Sequence, residues 1–574
     1  TSGGGGSSAA QPKNAPAQSK DPKLIPPEKP IYPLPRPGHP VALLAPGHPV
    51  AAGKAQPTVG AAGGGYQGEE AGNSPTVQRA GIAAAGATVG LPLYRHELLD
   101  DARLNDVYFI DAQRGWAVGD WGVIWHTEDG GRQWQLQHSA ANCSLRSVFF
   151  VDEKIGWAAG GYTHPYTHTS RGVLLFTRDG GRSWQMHDKL LLPALRKIRF
   201  FDSRRGWAIA ARCDLFPAGL FFTSDGGLSW SPSGSGAGGD WTCGDMFSPG
   251  NGALAGRFAA AAAVGASALQ LVPTDISFFH QPRQLRFFGP NRGWLVGDGG
   301  LVRSTSDRGQ TWQPPERLPP SLAQFDLAAV AIRHQKVWMA GAPGTRIWHS
   351  ADGGRTWQWS ASGIRTPLRA ICFVDDDRGW AVGSLGTILT TTDGGRSWRM
   401  QRAGASRVAV LALVAQMEDV PLELLARLSG DEGYLSAVEV LHRRDWQSPW
   451  DMAVAPAERL HEAVAAVGCC DSALAWQFPV PAAELRLPAA QILDAWDGLH
   501  QEVFEGLAPG AQPQTENANQ PATDRSLAPA GQRALRALRA HLVRQIRMWR
   551  PEIIITNDAA PQGDDPLRHL VNQA

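Results

Sequence analysis

Few tyrosines, few cysteines and no apolar run long enough to cross a bilayer set the first limits on this chain of 574 residues. Its most apolar stretch, 258–273, is alanine-rich, short and broken by Gly265 and Ser267, where a spanning helix needs roughly 20 apolar residues. Net charge is nearly absent as well. With 54 basic residues against 53 acidic ones, no overall field draws the chain to nucleic acid or to an acidic membrane. Lysine disappears after Lys336, leaving arginine as the cation. The six cysteines, Cys143, Cys213, Cys243, Cys372, Cys469 and Cys470, lack zinc-ligand spacing and are too sparse for a disulfide framework in a chain of this size. Four of them fall in the repeat region below and read as small buried hydrophobes. The chain begins at Thr1, so its true start, with any leader, is expected to be missing, and an exported or periplasmic location is favoured.

The length exceeds one core and predicts several domains. Residues 1–90 are rich in Gly, Pro, Ala, Ser and Gln; such a segment buries too little apolar surface to offset its ordering entropy and is expected to be disordered. It contains a near-duplicate around His39 and His48, read as linker repetition.

From about residue 100 a repeat takes over. A Gly-Trp step in a short apolar strand appears at Gly115-Trp116, Gly156-Trp157, Gly206-Trp207, Gly293-Trp294 and Gly379-Trp380, with Val337-Trp338 as a looser copy. Gly252-Ala253 fills the remaining gap with Ala in place of Trp. The seven copies recur every 41 to 50 residues, the period of a four-stranded propeller blade. A second signature, Ser/Thr-x-Asp-x-Gly-x-x-Trp, interlocks with the first. Its carboxylates are Asp129, Asp179, Asp225, Asp307, Asp352 and Asp393. This is turn chemistry: an Asp side chain accepts from backbone N–H groups just ahead of it, and Gly supplies the positive φ of a hairpin. The closing Trp is expected to pack between blades. Six boxes on seven blades leave one eroded blade at 240–273. The periodic arginines, Arg114, Arg205, Arg292 and Arg378 before Gly-Trp and Arg132, Arg182, Arg355 and Arg396 after the box glycines, read as solvated turn residues. His164 and His168 flank Pro165 in a loop and read as exposed rather than metal-binding.

After residue 403 the pattern changes. Strands are expected at 408–415, 436–441, 473–478 and 552–557, and helices at 457–467, 489–505 and 533–549, with a polar loop at 506–530. Alternation of this kind predicts a parallel α/β layer, Rossmann-like, over 405–574. The fold class is therefore mainly β: a disordered tail (1–90), a seven-bladed Asp-box propeller (91–403) and an incomplete α/β domain.

The alternating Gly-Trp-Ala-Val-Gly and Thr-x-Asp-Gly-Gly-Arg-Ser-Trp motifs resemble the propellers of photosystem II stability and assembly factors, over about 300 residues. The resemblance implies a non-catalytic scaffold, monomeric, that docks a protein or an envelope polymer. Sialidases also carry Asp boxes, but they need a tyrosine nucleophile and an arginine triad. The propeller region offers only Tyr94, Tyr108, Tyr162 and Tyr166 and seven repeats rather than six. The C-terminal region resembles the PIG-L/LmbE de-N-acetylases, whose Ala-His-Pro-Asp-Asp-Glu motif matches Ala415-Gln416-Met417-Glu418-Asp419-Val420. The resemblance implies Glu418 as general base and Asp419 as zinc ligand, with Gln416 standing where a histidine ligand belongs. The later Thr-His-Asp and His-Pro-Asp-His motifs match Thr556-Asn557-Asp558 and the run from Asp564 to His569, with Arg568 at the third ligand position. With two of three ligands replaced, the domain reads as degenerate. The rival reading is a zinc-dependent de-N-acetylase of an amino-sugar, with the propeller as its targeting module.

Overall fold

Seven antiparallel sheets follow one another along the chain, each built from consecutive strands. Blade 1 comprises Leu104–Phe109, Gly115–Gly119, Ile124–Thr127 and Gln135–Gln137. Blade 2 begins with Ser144–Phe150, blade 3 with Leu195–Phe200 and blade 4 with Trp241–Ser248. Blades 5, 6 and 7 begin with Pro282–Phe288, Asp326–Arg333 and Leu368–Phe373. The first strands of neighbouring blades face one another around the axis, and blade 7 meets blade 1. The computed structural model describes residues 96–163, 169–187, 190–213, 215–233, 239–265, 269–441, 456–478, 491–493, 496, 532–558 and 566–574. The expectations for the 1–90 tail, His164, His168, the 506–530 loop, Asp564 and Asp565 lie outside the described residues. So does the helix expected at 489–505, apart from 491–493 and 496, which are helical.

What joins one blade to the next is an aromatic sandwich. In four blades the second-strand indole lies flat on the phenylalanine that ends the following blade's first strand. Trp116 stacks on Phe150 at 3.5 Å, Trp157 on Phe200 at 3.6 Å, Trp338 on Phe373 at 3.7 Å and Trp380 on Phe109 at 3.5 Å. The Asp-box Trp of the second blade then meets the far side of that ring edge-on, as Trp184 does to Phe150 and Trp398 to Phe373. Offset and edge-to-face geometries suit the ring quadrupole and add about 0.5–1.5 kcal/mol per pair beyond burial. The glycine before each Trp is a space requirement: a Cβ on Gly156 would sit 2.4 Å from the Phe150 ring. Blade 6, with Val337 in that place, has Ile332 instead of phenylalanine opposite it.

Each indole also anchors the next Asp box. Trp116 Nε1 donates to Gly180 O (3.2 Å), Trp157 to Gly226 O (2.9 Å), Trp338 to Gly394 O (2.8 Å) and Trp380 to Gly130 O (3.2 Å). The boxes themselves are hydrogen-bonded turns. Thr127 Oγ1 donates to Asp129 Oδ1 (2.9 Å) and accepts from Gly131 N (2.8 Å), while Gln133 N donates to Asp129 Oδ1 (3.0 Å). The same pattern recurs at Asp179, Asp225, Asp307, Asp352 and Asp393. Blade 4 (Trp241–Ser248, Asn251–Gly256, Ala261–Val264, Leu269–Leu271) is the eroded one, complete in strands yet without a box. Its missing box has a physical consequence on blade 3. Trp207, fully buried, packs with Met246 rather than phenylalanine, and its Nε1 finds no partner among the described residues. At ring closure the Trp380–Phe109 stack is joined by Gln401 Nε2 donating to Gly130 O (2.7 Å) and Arg402 pairing with Asp100 (2.8 Å).

The C-terminal strands Val410–Val414, Ser436–Val440, Asp471–Leu474 and Ile553–Thr556 form one parallel sheet, in the spatial order third, second, first, fourth. Helices Pro456–Ala466, Gln532–Trp549 and Pro566–Gln573 accompany it. The third strand starts two residues earlier than its apolar run predicts and stops before Trp476. That indole turns away to the propeller, donating to Asp326 Oδ1 (2.7 Å). A continuous apolar cluster joins this sheet (Leu411, Leu413) and the end of the long helix (Trp549) to blades 1 and 7 (Trp125, Trp380, Leu385). All six cysteines are free; Cys213 and Cys372 are half-buried rather than buried.

Two predictions follow from the blade junctions. Trp157→Phe is expected to destabilise the protein by about 1 kcal/mol more than Trp207→Phe, because only the first deletes a hydrogen bond; denaturant titrations of the two variants measure the difference. At Asp225 and Asp393 burial opposes ionisation. It is outweighed by the Ser229 and Ser397 hydroxyls and amides and by Thr223 and Thr391, so both carboxyls fall from 3.8 to about 2. Such depressed groups stabilise the fold above their ordinary pKa and lose that contribution as pH drops through the folded value. The thermal midpoint is therefore expected to fall between about pH 4 and pH 2, less steeply in Asp393→Asn.

Candidate docking face

In all seven blades the first strand carries a register irregularity at one equivalent position. The ladder skips Asn105, Arg146, Arg196, Thr242, Arg283, Ala328 and Arg369. A bulge leaves its residue off the ladder and re-aims the side chain. Here the irregularity recurs at the end of the strand opposite the Asp-box turn, so four arginines, with Arg103 just ahead of Asn105, converge on one face of the ring. Sequence reading passed over them. The available signal was Leu-Arg or Pro-Arg four residues before the stacking phenylalanine, in Leu145-Arg146, Leu195-Arg196, Pro282-Arg283 and Leu368-Arg369.

The C-terminal segment sits on this face and meets the arginines with acids. Helix Pro456–Ala466 turns Leu460 and Val464 to its own sheet and presents Glu458, His461 and Glu462 to the propeller, the i, i+3, i+4 spacing of one helix face. Arg146 pairs with Glu462 at 2.6 Å, and Arg196 with Glu458 at 2.6 Å and with Asp240 of blade 4 at 2.6 Å. The Thr163 amide also donates to Glu462. Asp471, its side chain 1% exposed, accepts from Arg103 (3.2 Å), Arg369 (2.8 Å) and the Ser384 hydroxyl. His461 bridges Asp120 Oδ2 (2.7 Å) and Ser472 Oγ (3.1 Å), and Trp121 Nε1 donates to Ala465 O (3.1 Å). Burial works against the Asp471 charge, but the Arg369 and then the Arg103 guanidinium outweigh it and hold its carboxyl below the usual range. Burial, with Arg103 next, keeps the His461 imidazole below its ordinary pKa. At Glu462 burial prevails over Arg146, and its pKa is raised.

Between helix, sheet edge and propeller lies a chamber of about 310 Å³. Arg283, Arg369, Glu439, His541 and Gln477 line it. Arg369 Nε, Glu439 Oε2, His541 Nδ1 and Gln477 Oε1 are buried there without a hydrogen-bond partner among the described residues. Groups of this kind are satisfied by ordered water.

The residues expected from sequence to act chemically lie elsewhere. Glu418 is exposed in the single turn Met417–Asp419. Asp419 is adjacent, its side chain 4% exposed and ion-paired with Arg568; it also accepts from Gln416 N (3.1 Å). Asn557 Oδ1 accepts from Ala415 N (2.8 Å), tying the ends of the first and fourth strands. The expected ligand positions are thus brought together, with a guanidinium on the carboxylate. No group of three His, Cys, Asp or Glu side chains able to hold a metal occurs among the described residues. The six Asp-box carboxylates are spread around the opposite face, each engaged in its own turn. Arg114, Arg205 and Arg378 pair with Asp111, Asp202 and Asp375 three residues before them, so these arginines close local turns.

A family model described as photosynthesis system II assembly factor YCF48 matches residues 92–192 and 266–367. The ring is a seven-bladed Ycf48-like BNR propeller. Among curated relatives, the photosystem II assembly lipoprotein Ycf48 of Synechococcus sp. (strain CC9902) is 30% identical over 138 residues, 23% of this chain and 41% of the relative. The chloroplastic photosystem II stability/assembly factor HCF136 of Arabidopsis thaliana is 27% identical over 116 residues, 19% of this chain and 28% of the relative. The chain therefore spans less than half the length of these relatives in its matches. A solved structure described as YCF48 bound to D1 peptide is 24% identical with a TM-score of 0.42, covering 51% of this chain and 94% of that one. In this chain the Ycf48-like propeller carries a parallel sheet on its arginine face.

Asp471→Asn is expected to destabilise the protein by about 3 kcal/mol, since Arg369 loses its ion-pair partner and Arg103 is left with Asp120 alone. Urea unfolding followed by tryptophan fluorescence measures this.

Proposed function

We propose that this protein is a non-catalytic docking scaffold whose Ycf48-like propeller binds a protein partner during assembly of a larger complex. The observation that carries the reading is the match of the blade signatures to photosystem II assembly factors, together with where those signatures are used. Every repeated Trp, Asp and Gly is committed to blade junctions and turns, which leaves a rigid ring whose faces present side chains. Such rings place recognition residues on a fixed frame. A protein partner fits this reading better than an envelope polymer, because the matching relatives are assembly factors of a protein complex.

The C-terminal sheet is read here as a degenerate de-N-acetylase-like layer. What supports this is the parallel strand order and the meeting of the Gln416–Asp419 turn with Asn557 and Arg568. At that meeting point a guanidinium takes the carboxylate that a metal would need. Its role in the scaffold is then structural.

The D1 peptide named for the solved Ycf48 complex is the first probe. Saturable binding of labelled peptide to the full chain, followed by fluorescence anisotropy, is the expected result. Failure to bind at any concentration up to the millimolar range, by a chain whose tryptophan environment is native, would remove D1 as the partner class. Zinc retained at one equivalent after dialysis and lost in Asp419→Ala would replace the scaffold reading of the C-terminal layer with the hydrolase one.

A further inference from the structure

The arginine face raises a question the scaffold reading leaves open, since a docking surface is of use only while it is reachable. Here it is occupied. Four arginines from blades 2, 3, 5 and 7 are aimed at it by their bulges, and the chain's own C-terminal segment supplies the acids that meet Arg146, Arg196 and Arg369. The cover is unevenly fastened. At the junction of blades 7 and 1 it is anchored by the shared apolar cluster of Leu411, Leu413, Trp549, Trp380 and Leu385. Over blades 2 and 3 the fastening is ionic, through Glu462 on Arg146 and the Thr163 amide and through Glu458 on Arg196. Apolar contact is non-directional and is not screened by salt, whereas a charge pair is exchanged readily for another of the same geometry. The side over blades 2 and 3 is the one a competing acid can open.

We infer that helix Pro456–Ala466 is a resident acidic ligand of the arginine face, masking in cis a site that accepts an acidic helical segment of a partner. This rests on the scaffold reading above and adds the partner's chemistry and the control of access. The spacing of the resident helix specifies the competitor: two carboxylates one turn apart, as Glu458 and Glu462 are, facing guanidinium groups on adjacent blades. Arginine suits this task, because its planar fork holds a carboxylate in two-point geometry and stays charged when desolvated. Arg196 keeps Asp240 as a second partner, so displacement of Glu458 does not strand its charge. Arg146 has one guanidinium nitrogen, Nη1, without a partner among the described residues, so part of its capacity is unused while the helix is in place.

The test uses the full chain and a neutral, isosteric variant, Glu458→Gln with Glu462→Gln, at about 50 mM salt, where pairing is least screened. Two readouts are taken: modification of Arg146 and Arg196 by phenylglyoxal, mapped by mass spectrometry, and binding of a fluorescein-labelled oligoglutamate peptide. In the wild type both arginines are expected to be protected and the peptide weakly bound. In the variant, modification is expected to accelerate and peptide affinity to rise, each by about tenfold or more. Adding Arg146→Glu and Arg196→Glu to the variant is expected to abolish the peptide gain. Equal modification rates in wild type and variant would overturn the mask, and faster modification without peptide binding would overturn the acid-accepting site. The charge swap Arg146→Glu with Glu462→Arg guards against simple misfolding, because it is expected to restore the protection of Arg196 that either change alone removes. Binding of the D1 peptide that is unaffected by any of these substitutions would leave the scaffold reading standing while this inference fails.

Discussion

The stack of indole on phenylalanine between successive blades is the contact on which the rest of the structure depends. A single blade cannot bury both of its faces, so each must pack on the next. Four of the seven junctions repeat one unit. A glycine leaves room for a ring, the ring carries the preceding blade's indole on one side and its own Asp-box indole on the other, and the indole N–H closes the bond to the next box. The glycine, both tryptophans and the box are therefore coupled. Blade 4 has no box, Trp207 of blade 3 has no acceptor among the described residues, and blade 4 presents Met246 where other blades have phenylalanine. Where blade 6 has Val337 for glycine, it has Ile332 for phenylalanine. Departures from the repeat come in complementary sets, as close packing requires.

This coupling explains why the ring was legible from sequence and the functional face was not. Trp, Gly and Asp recur because each is constrained by a geometry repeated from junction to junction, and a constraint repeated along the chain is visible as a period. The eroded blade could be counted because Gly252-Ala253 and Gly256 kept the spacing after the indole was gone. The bulge arginines are also periodic, yet their meaning comes from a register irregularity that the Leu-Arg and Pro-Arg steps mark only weakly. Arginine after leucine in a strand reads as one more solvated position. The same limit applies at the third parallel strand. Its apolar run places the strand at 473–478, but the strand ends at Leu474 because Trp476 has a hydrogen-bond partner 150 residues away in the propeller. Long-range pairing overrides local pattern where the two compete.

At Gln416–Asp419 the sequence motif pointed to residues that do lie together. The turn, Asn557 and Arg568 do meet. What meets is a carboxylate and a guanidinium, and together with Asn557 they tie the turn after the first strand to the fourth strand and the last helix. A guanidinium supplies hydrogen bonds and charge but no open coordination position.

The interface between the C-terminal segment and the ring repeats this logic at larger scale. Removing charges from water is costly, and buried ion pairs often stabilise no more than apolar residues of the same shape would. A segment meant only to add stability would have covered the ring with leucine, as it does at the junction of blades 7 and 1. Over blades 2 and 3 it uses Glu458 and Glu462 on arginines instead. What charge pairs provide there is a defined register and an interaction that another acid can replace without leaving a guanidinium bare. Asp471 is paired with two arginines beside the apolar anchor, whereas Glu458 and Glu462 each meet one arginine of the ring from the helix. The face therefore joins an apolar fastening at one junction to an ionic one over blades 2 and 3.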